Sequence, residues 1–154
     1  MHFESVNVGD ALTPLENGPL TSAHLMRWSA AMENWHKIHY DKPFAMEHDK
    51  LPGILVNGTL KQQFIMQFLR DWAGRDGWVW KVGFQFRAMN VENETLRLWA
   101  RVTGKRDAGS YGLVDLELGI RNDEDKESTP GIAVVALPYR GGKPVPYPFV
   151  PPAE

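Results

Sequence analysis

A polar stretch in the first third of the chain concentrates the groups that could move a proton. Residues 34–41 have the sequence Asn-Trp-His-Lys-Ile-His-Tyr-Asp. This stretch contains His36 and His39, and His48 follows soon after, so that three of the five histidines in the chain fall within thirteen positions. A neutral imidazole can take up a proton near pH 7, so we expect any acid–base chemistry in this stretch.

A second candidate feature is the sequence Asn57-Gly58-Thr59, which precedes a long apolar stripe. The first N–H groups of a helix have no partner inside it, and they lie at the positive end of the helix dipole. Glycine also lets a ligand approach the backbone closely. An oxygen that gains negative charge, such as that of a thioester carbonyl becoming an enolate, needs such donors, but every helix begins with free N–H groups and this feature alone does not assign a ligand.

The two features must be positioned by elements that hydrophobic spacing predicts. After Thr59, apolar side chains recur at helical spacing: Leu60, Phe64, Ile65, Phe68, Leu69 and Trp72. This wide stripe predicts a core helix, and Gly74 predicts its end through a left-handed cap. An earlier helix is predicted from Thr21 or Ser22 to about Glu33. Its expected buried positions are Leu25, Met26, Trp28, Ala30 and Met32.

Four later runs predict the strands of an antiparallel sheet. In residues 78–88, 96–102 and 114–120, side chains alternate with the period of two that marks a half-buried strand. The first run would share one face among Trp78, Trp80, Val82, Phe84, Phe86 and Ala88. Residues 132–137 are apolar on both faces, which predicts a strand that is shielded twice. Links rich in turn residues favour a meander, and residues 11–15 are weakly marked as a further strand.

One thick helix followed by strands predicts an α+β fold in which the sheet curls round the helix. The 154 residues are 43% hydrophobic and 23% charged, which predicts one globular domain over residues 1–154. Prolines are frequent in residues 138–154 and predict an extended tail that packs on the surface.

Composition also limits the classes of partner and site. The net charge of -2 gives no basic surface for nucleic acid or for an anionic membrane. The absence of cysteine excludes disulfides, thiolate metal sites and a cysteine nucleophile, and it fits a cytoplasmic protein. Residues 1–10 are polar and predict no signal peptide, and no apolar run is long enough to cross a bilayer.

Residues 34–41, followed by Leu-Pro-Gly-Ile-Leu-Val-Asn-Gly at residues 51–58, resemble the signature of MaoC-like dehydratases. The match is most similar to the branch of mesaconyl-CoA hydratases and 3-hydroxyacyl-thioester dehydratases. The resemblance implies a hot-dog fold and an enzyme of fatty acid metabolism. It implies (R)-specific hydration of 2-enoyl-CoA thioesters, or the reverse dehydration of 3-hydroxyacyl thioesters. It implies no metal or redox cofactor, because the CoA or carrier-protein thioester is the substrate.

The resemblance also implies residue roles. His39 matches the catalytic histidine, and Gly58 matches the glycine whose N–H binds the thioester oxygen. Asn34 stands where many hydratases have an aspartate, and an amide can orient water but cannot accept its proton. Asn57 stands where the branch usually has histidine. The residues expected to contact substrate are His36, Tyr40, Asn57 and Thr59.

Other interpretations of these residues remain open. Asp41 fits a helix cap better than a catalyst, and a metal site formed by His36, His39 and Asp41 lacks a recognised spacing and a fourth ligand. The amides at Asn34 and Asn57 favour an alternative function, a non-catalytic subunit that pairs with an active hydratase. A thioesterase is less favoured, because such enzymes usually use a carboxylate in the core helix and residues 60–70 contain none. An exposed sheet edge predicts a homodimer, a higher even oligomer or a heteromer.

Overall fold

The computed structural model describes residues 1–152, so Ala153 and Glu154 of the expected tail lie outside the described residues. The helices are α1 (Ser22–Ala31) and α2 (Gly58–Ala73). The strands are β1 (Leu15–Asn17), β2 (Trp78–Phe84), β3 (Leu96–Asp107), β4 (Gly112–Arg121) and β5 (Gly131–Leu137). Single helical turns lie at Phe3–Ser5, Lys37–His39 and Phe44–His48. Within the described part of the chain, neither helix is long and apolar enough to span a membrane.

The strands form one antiparallel sheet in the order β1-β3-β4-β5-β2. The expected meander is correct for β3, β4 and β5 but wrong for β2, which pairs with β5. The link after β2 is not a hairpin turn. It crosses in front of α2, where Val56 N–H donates to Asn90 O at 2.9 Å and Glu92 N–H donates to Ile54 O at 2.9 Å.

The weakly marked first strand is present, shifted toward the C-terminus. β1 pairs with β3 through Leu15 and Leu98, and Ala11 forms an isolated bridge with Arg101. The sheet therefore has five strands where four were clearly expected. A three-residue strand carries too few alternating positions to stand out in a sequence.

The main core lies between α2 and the curled sheet. The expected α2 stripe supplies Leu60, Ile65, Phe68 and Leu69 as buried residues, with Phe64 and Trp72 packed beside them. The inward positions of β3 and β4 are buried as predicted: Leu96, Leu98, Ala100, Val102, Val114, Leu116, Leu118 and Ile120. Gly74 ends α2 with φ of 75°, which favours glycine. This is the hot-dog architecture, confirmed with an antiparallel sheet wrapped around one helix.

The face assignment of β2 was wrong at its start. The pairing register with β5 shifts between Val79 and Lys81, so an extra residue turns the side chains by one position. Val79, Val82 and Phe84 therefore pack on the main core, whereas Trp80 packs on the outer side of the sheet. The strand ends at Phe84, and the predicted strand residues beyond it belong to the crossing link.

The tail explains why β5 is apolar on both faces. Ala133, Val135 and Leu137 face the main core, while Ala136 joins an outer cluster with Tyr111, Leu113 and Val145. The Tyr111 hydroxyl donates to Val150 O at 2.6 Å. Residues 138–152 thus pack on their own sheet as expected. Ile132 is the exception on β5, because 68% of its surface is exposed.

The first helix is shallower than expected. Thr21 caps α1 together with His24, and the helix ends at Ala31 rather than near Glu33. Only Leu25 and Ser29 are buried in it. Of the other expected positions, Trp28 is half-buried and packs on the main core. Ala30 is exposed, as are Met26 and Met32. A helix that touches the domain along one i, i+4 row buries a stripe narrower than its apolar composition predicts.

Candidate functional site

His39 lies at the end of the helical turn Lys37–His39, with only 9% of its surface exposed. Its Nδ1 is 2.9 Å from Leu55 O. A carbonyl oxygen can only accept, so Nδ1 must carry the proton of this hydrogen bond. In the neutral ring this leaves the lone pair on Nε2, which is the atom that could act as a base.

Burial keeps the His39 ring neutral. It lowers the pKa of His39 below its ordinary value of 6.5, because the charged ring loses solvation. The hydrogen bond to Leu55 O opposes this shift, and the neighbouring His36 adds to it. The two rings lie edge to face with centroids 6.3 Å apart. The site therefore presents a proton acceptor at pH 7.

The same segment ties His39 to the start of α2. Leu55 N–H donates to Ile38 O at 2.9 Å, while Leu55 O accepts from the His39 ring. Three residues further on, Gly58 begins α2, and an extended chain of that length places the two Cα atoms at most about 11 Å apart. The imidazole of His39 is therefore attached to the segment that leads directly into the opening of α2.

Gly58 lies under an aromatic ring. A Cβ atom added at Gly58 would be 2.8 Å from Cε2 of Phe86, a separation that would force the ring to move. Phe86 is 51% exposed, and it lies two residues beyond the end of β2. This close approach favours glycine, because any larger side chain would have to displace the ring. The alternation of residues 78–88 had placed Phe86 in a strand and gave no sign of this contact.

The neighbours of Gly58 are held by α1. Asn57 is fully buried, and its Nδ2 donates to Ser29 Oγ at 3.2 Å. Its Oδ1 has no hydrogen-bond partner among residues 1–152. Thr59 Oγ1 accepts from Trp28 Nε1 at 2.9 Å. Two of the expected substrate contacts therefore face α1 at the helix opening.

The remaining predicted residues brace the loop that carries His39. Asn34 Oδ1 accepts from the backbone N–H of His36 at 3.3 Å, and the Tyr40 hydroxyl donates to the Trp35 carbonyl at 2.8 Å. Asp41 Oδ1 accepts from the N–H of Phe44 at 3.0 Å, which confirms its interpretation as a helix cap.

These bonds leave the Asn34 amide nitrogen available, whereas Nδ1 of the exposed His36 ring accepts from the N–H of Ile38 at 3.5 Å and caps the helical turn. Across residues 1–152, no three His, Asp or Glu side chains are grouped as a metal site would need.

Sequence reasoning missed a buried charge in α2. Lys61 is only 3% exposed, and its Nζ donates to Asn90 Oδ1 at 3.0 Å and to Ala88 O at 3.3 Å. Burial lowers the pKa of Lys61 to about 8, and Glu94 acts in the opposite direction. A signal was available, because Lys61 precedes Ile65 by four positions and so lies on the apolar stripe.

A groove of about 870 Å³ lies away from these residues, at the C-terminal end of α2. Gln67, Arg70 and Trp78 are among its lining side chains, and neither His39 nor Gly58 contributes to it. It runs beside β2, an edge strand that pairs with β5 and with no other strand of residues 1–152. The groove is therefore a feature of the sheet edge and not of the imidazole.

Comparison with known proteins places the same segments in a family. A family model for hydroxyacyl-thioester dehydratase type 2 matches residues 10–93, a range that includes both the 34–41 and the 51–58 segments. This chain is also 37% identical to a mesaconyl-C(4)-CoA hydratase of Chloroflexus aurantiacus over 84 residues, which is 53% of the chain. That match covers 29% of the relative, so the chain spans less than a third of the relative's length.

Solved structures share the fold. The R-hydratase PhaJ1 from Pseudomonas aeruginosa superposes with a TM-score of 0.80 at 15% identity, covering 90% of this chain and 86% of that one. The (R)-hydratase from A. caviae gives 0.75 at 20% identity, covering 88% and 99%. The ChsH1-ChsH2 complex from Mycobacterium tuberculosis gives 0.74 at 17% identity, covering 85% and 98%. At these identities the likeness is one of architecture.

Proposed function

The chain belongs to the hydroxyacyl-thioester dehydratase type 2 family, and we propose that it is a hydro-lyase acting on acyl thioesters. The reaction is (R)-specific hydration of 2-enoyl-CoA thioesters, or the reverse dehydration of 3-hydroxyacyl thioesters. One observation carries the proposal. The buried imidazole of His39 is fixed by Leu55 O so that Nε2 is left as a base, on the segment that opens α2 at Gly58.

In the hydration direction, His39 Nε2 takes a proton from water as the water oxygen bonds to C3 of the enoyl group. The electron pair of the double bond moves toward the thioester oxygen, which accepts a hydrogen bond from Gly58 N–H at the positive end of α2. The imidazolium then returns the proton to C2. One water is added, with its hydroxyl on C3 and its hydrogen on C2.

Asn34 would orient the water through its amide group. Because an amide cannot accept the proton, His39 both takes it and returns it in this scheme. His36 and Tyr40 would line the acyl thioester, while Asn57 and Thr59, which are bonded to α1, would hold the helix opening in place. The balanced reaction uses water and the thioester and calls for no further cofactor.

The test is hydration of crotonyl-CoA, followed by loss of absorbance of the conjugated thioester. We expect His39→Ala to lower kcat by at least about 10²-fold, the usual effect of losing a general base. His48→Ala is the matched control, because His48 is exposed and bonded to Asp49 at 2.7 Å. Full activity in the His39 variant would remove His39 from the mechanism.

Oligomer formation is part of the proposal. β2 offers one unpaired edge in the described chain, and such an edge favours pairing with another copy. We propose a cytoplasmic location, with CoA or carrier-protein thioesters as ligands. We also propose that the chain forms a homodimer, a higher even oligomer or a pair with a related subunit. Light scattering coupled to size exclusion tests the oligomeric state, and a stable monomer would contradict this proposal.

A second candidate is a partner subunit without activity of its own. It is favoured by the amide at Asn34 and by Phe86, whose ring lies against Gly58. Turnover of crotonyl-CoA by the isolated chain would exclude it. A thioesterase is less favoured, because Asp71 is the one carboxylate of α2 and lies near its far end. Release of free CoA, detected with a thiol reagent, would reverse that preference.

A further inference from the structure

Lys61 is a buried charge to which the proposed reaction gives no role. It is 3% exposed, and its Nζ donates to two neutral acceptors, Ala88 O and Asn90 Oδ1. Within residues 1–152, no carboxylate lies within ion-pair distance of it. Glu94, the acid whose charge acts on it, accepts from Asn90 Nδ2 at 2.7 Å instead.

Two effects make this charge unfavourable for the fold. Burial removes hydration that two neutral acceptors replace only in part. In addition, Lys61 is the fourth residue of α2, and the positive end of the helix dipole disfavours a cation in the first turn. Fastening the crossing link to α2 would need only a neutral donor. That contact therefore explains the hydrogen bonds of Lys61 but not its charge.

The charge lies close to the opening of α2. Lys61 and Gly58 are three residues apart and share a helix face, and helical side chains tilt toward the N-terminus. The ring of Phe86 contacts both residues. Its centroid is 5.0 Å from Lys61 Nζ, and its Cε2 would be 2.8 Å from a Cβ atom at Gly58. The ammonium thus lies within about 10 Å of Gly58, a separation over which a buried charge is screened little.

We propose that the field of the Lys61 ammonium stabilises the negative charge that develops on the thioester oxygen at Gly58. The inference rests on the proposed function, which places that oxygen at the Gly58 N–H. Lys61 acts at a distance and does not touch the substrate, so it needs no cavity beside it. For unit charges about 10 Å apart, at an effective dielectric constant of about 20, the attraction corresponds to roughly tenfold in rate.

Steady-state hydration of crotonyl-CoA tests the field. Lys61→Gln can still donate to Asn90 but carries no charge, so its kcat should be about tenfold lower, with little change in KM because the effect belongs to the transition state. Lys61→Arg keeps the charge and should retain most of the wild-type kcat. Lys126→Met, which changes an exposed lysine of the β4–β5 turn, should behave as wild type. Circular dichroism confirms that each variant is folded.

The pH profile of wild-type protein makes the same comparison without a substitution. Burial lowers the pKa of Lys61 to about 8, and Glu94 of the crossing link opposes this shift. As the amine becomes neutral, kcat should fall and then level off about tenfold lower, near the value for Lys61→Gln. That variant should lack the alkaline limb. Unchanged kcat in folded Lys61→Gln would overturn the inference, as would an alkaline limb that persists in it.

An unreactive ligand separates this inference from the function beneath it. In butyryl-CoA labelled isotopically at the thioester carbonyl carbon, the infrared stretching frequency reports the field along that bond. Binding to wild-type protein should lower the frequency, and binding to Lys61→Gln should lower it less. Hydration of crotonyl-CoA with equal frequencies in the two proteins would remove the role of Lys61 and leave the hydratase standing. Different frequencies without hydration would do the opposite.

Discussion

The imidazole of His39 is held by a single hydrogen bond whose acceptor has no proton to give. Leu55 O therefore selects the tautomer with its proton on Nδ1, and burial disfavours the charged ring. Both effects favour one form of the side chain, a neutral imidazole with a free Nε2.

The pH dependence of hydration should report this environment. Protonated His39 cannot accept a proton from water, so kcat/KM for crotonyl-CoA falls as the pH drops through the pKa of His39. Because that pKa is lowered from 6.5, we expect the midpoint of the acid limb to lie below pH 6.5. His48→Ala should show the same profile. A midpoint above 6.5 would contradict the desolvated ring.

The contact between Gly58 and Phe86 makes a separate prediction. Gly58→Ala should destabilise the protein by about 1 kcal/mol, because the new Cβ overpacks the ring. In a Phe86→Ala background the same change should become neutral or stabilising by up to about 1 kcal/mol, as expected for alanine over glycine in a helix. Urea unfolding of the four proteins measures the coupling, and additive effects would show that the ring does not restrain Gly58.

At the scale of elements, α2 shows what a sequence can and cannot predict. Its apolar stripe and its end at Gly74 follow from local periodicity and backbone preference, and both are confirmed. Lys61 was missed because a lysine is usually read as solvated, although its spacing to Ile65 placed it on the buried face. The position of Lys61 on the apolar stripe predicts burial, whereas its residue type predicts exposure, and here the position decides.

β2 shows the opposite case. Its existence follows from alternation, but its neighbour in the sheet and its bulge do not. Pairing with β5 depends on the path of a link anchored by Val56 and Ile54, which is a non-local contact. The shift between Val79 and Lys81 leaves no local mark, since Trp78, Val79 and Trp80 are all apolar and either face of the strand could be the buried one.

Lys61 also predicts how stability changes with pH. Its folded pKa is about 8 against an ordinary 10.5, so between those values the unfolded chain binds the extra proton and stability rises with pH. From pH 7 to 9.5, wild-type protein should gain about 2 kcal/mol of unfolding free energy relative to Lys61→Met. Urea unfolding at both pH values measures this gain. The control is Lys126→Met, which changes an exposed lysine: the stability difference between wild-type protein and this variant should stay the same at both pH values. A constant difference would mean that the ammonium is well solvated.

At the scale of the whole molecule, the sheet has a second layer made by the tail. Phe149 packs on Trp78, Trp80 and Tyr111, with ring centroids 5.5–6.0 Å apart. Composition alone predicted an extended tail, and the two apolar faces of residues 132–137 predicted a cover. Together they anticipated this contact, although neither indicated which tail side chains would make it.

Alanine substitutions in the tail should distinguish the packed ring of Phe149 from the exposed ring of Tyr147. Phe149→Ala is expected to lower the unfolding free energy by about 2 kcal/mol, less than for a fully buried phenylalanine. Tyr147→Ala is the matched control, because that ring is 85% exposed, and it should change stability by less than about 0.5 kcal/mol. If thermal and urea unfolding show that Phe149→Ala changes stability as little as Tyr147→Ala does, the packing of Phe149 on the sheet adds nothing to stability.

The residues of the candidate site could be predicted from the sequence, but the proximity of His39 to Gly58 could not. Residue types located an imidazole at His39 and free N–H groups at Gly58, and the resemblance assigned their roles. Their proximity depends on Leu55, an apolar residue whose contribution is made entirely by its backbone. The ring of Phe86 over Gly58 depends on the crossing link, which no local pattern describes.

Leu55 offers its N–H to Ile38 and its carbonyl to His39, so two distant stretches of chain are fastened at a single peptide. When one stretch shifts, the other is carried along with it, and the spacing between proton acceptor and helix opening is preserved. Because both groups of Leu55 are backbone groups, a chimera that imports residues 34–41 from a homologue should keep this connection as long as it keeps the histidine at position 39. Proline at position 55 has no N–H to donate, so Leu55→Pro should break it.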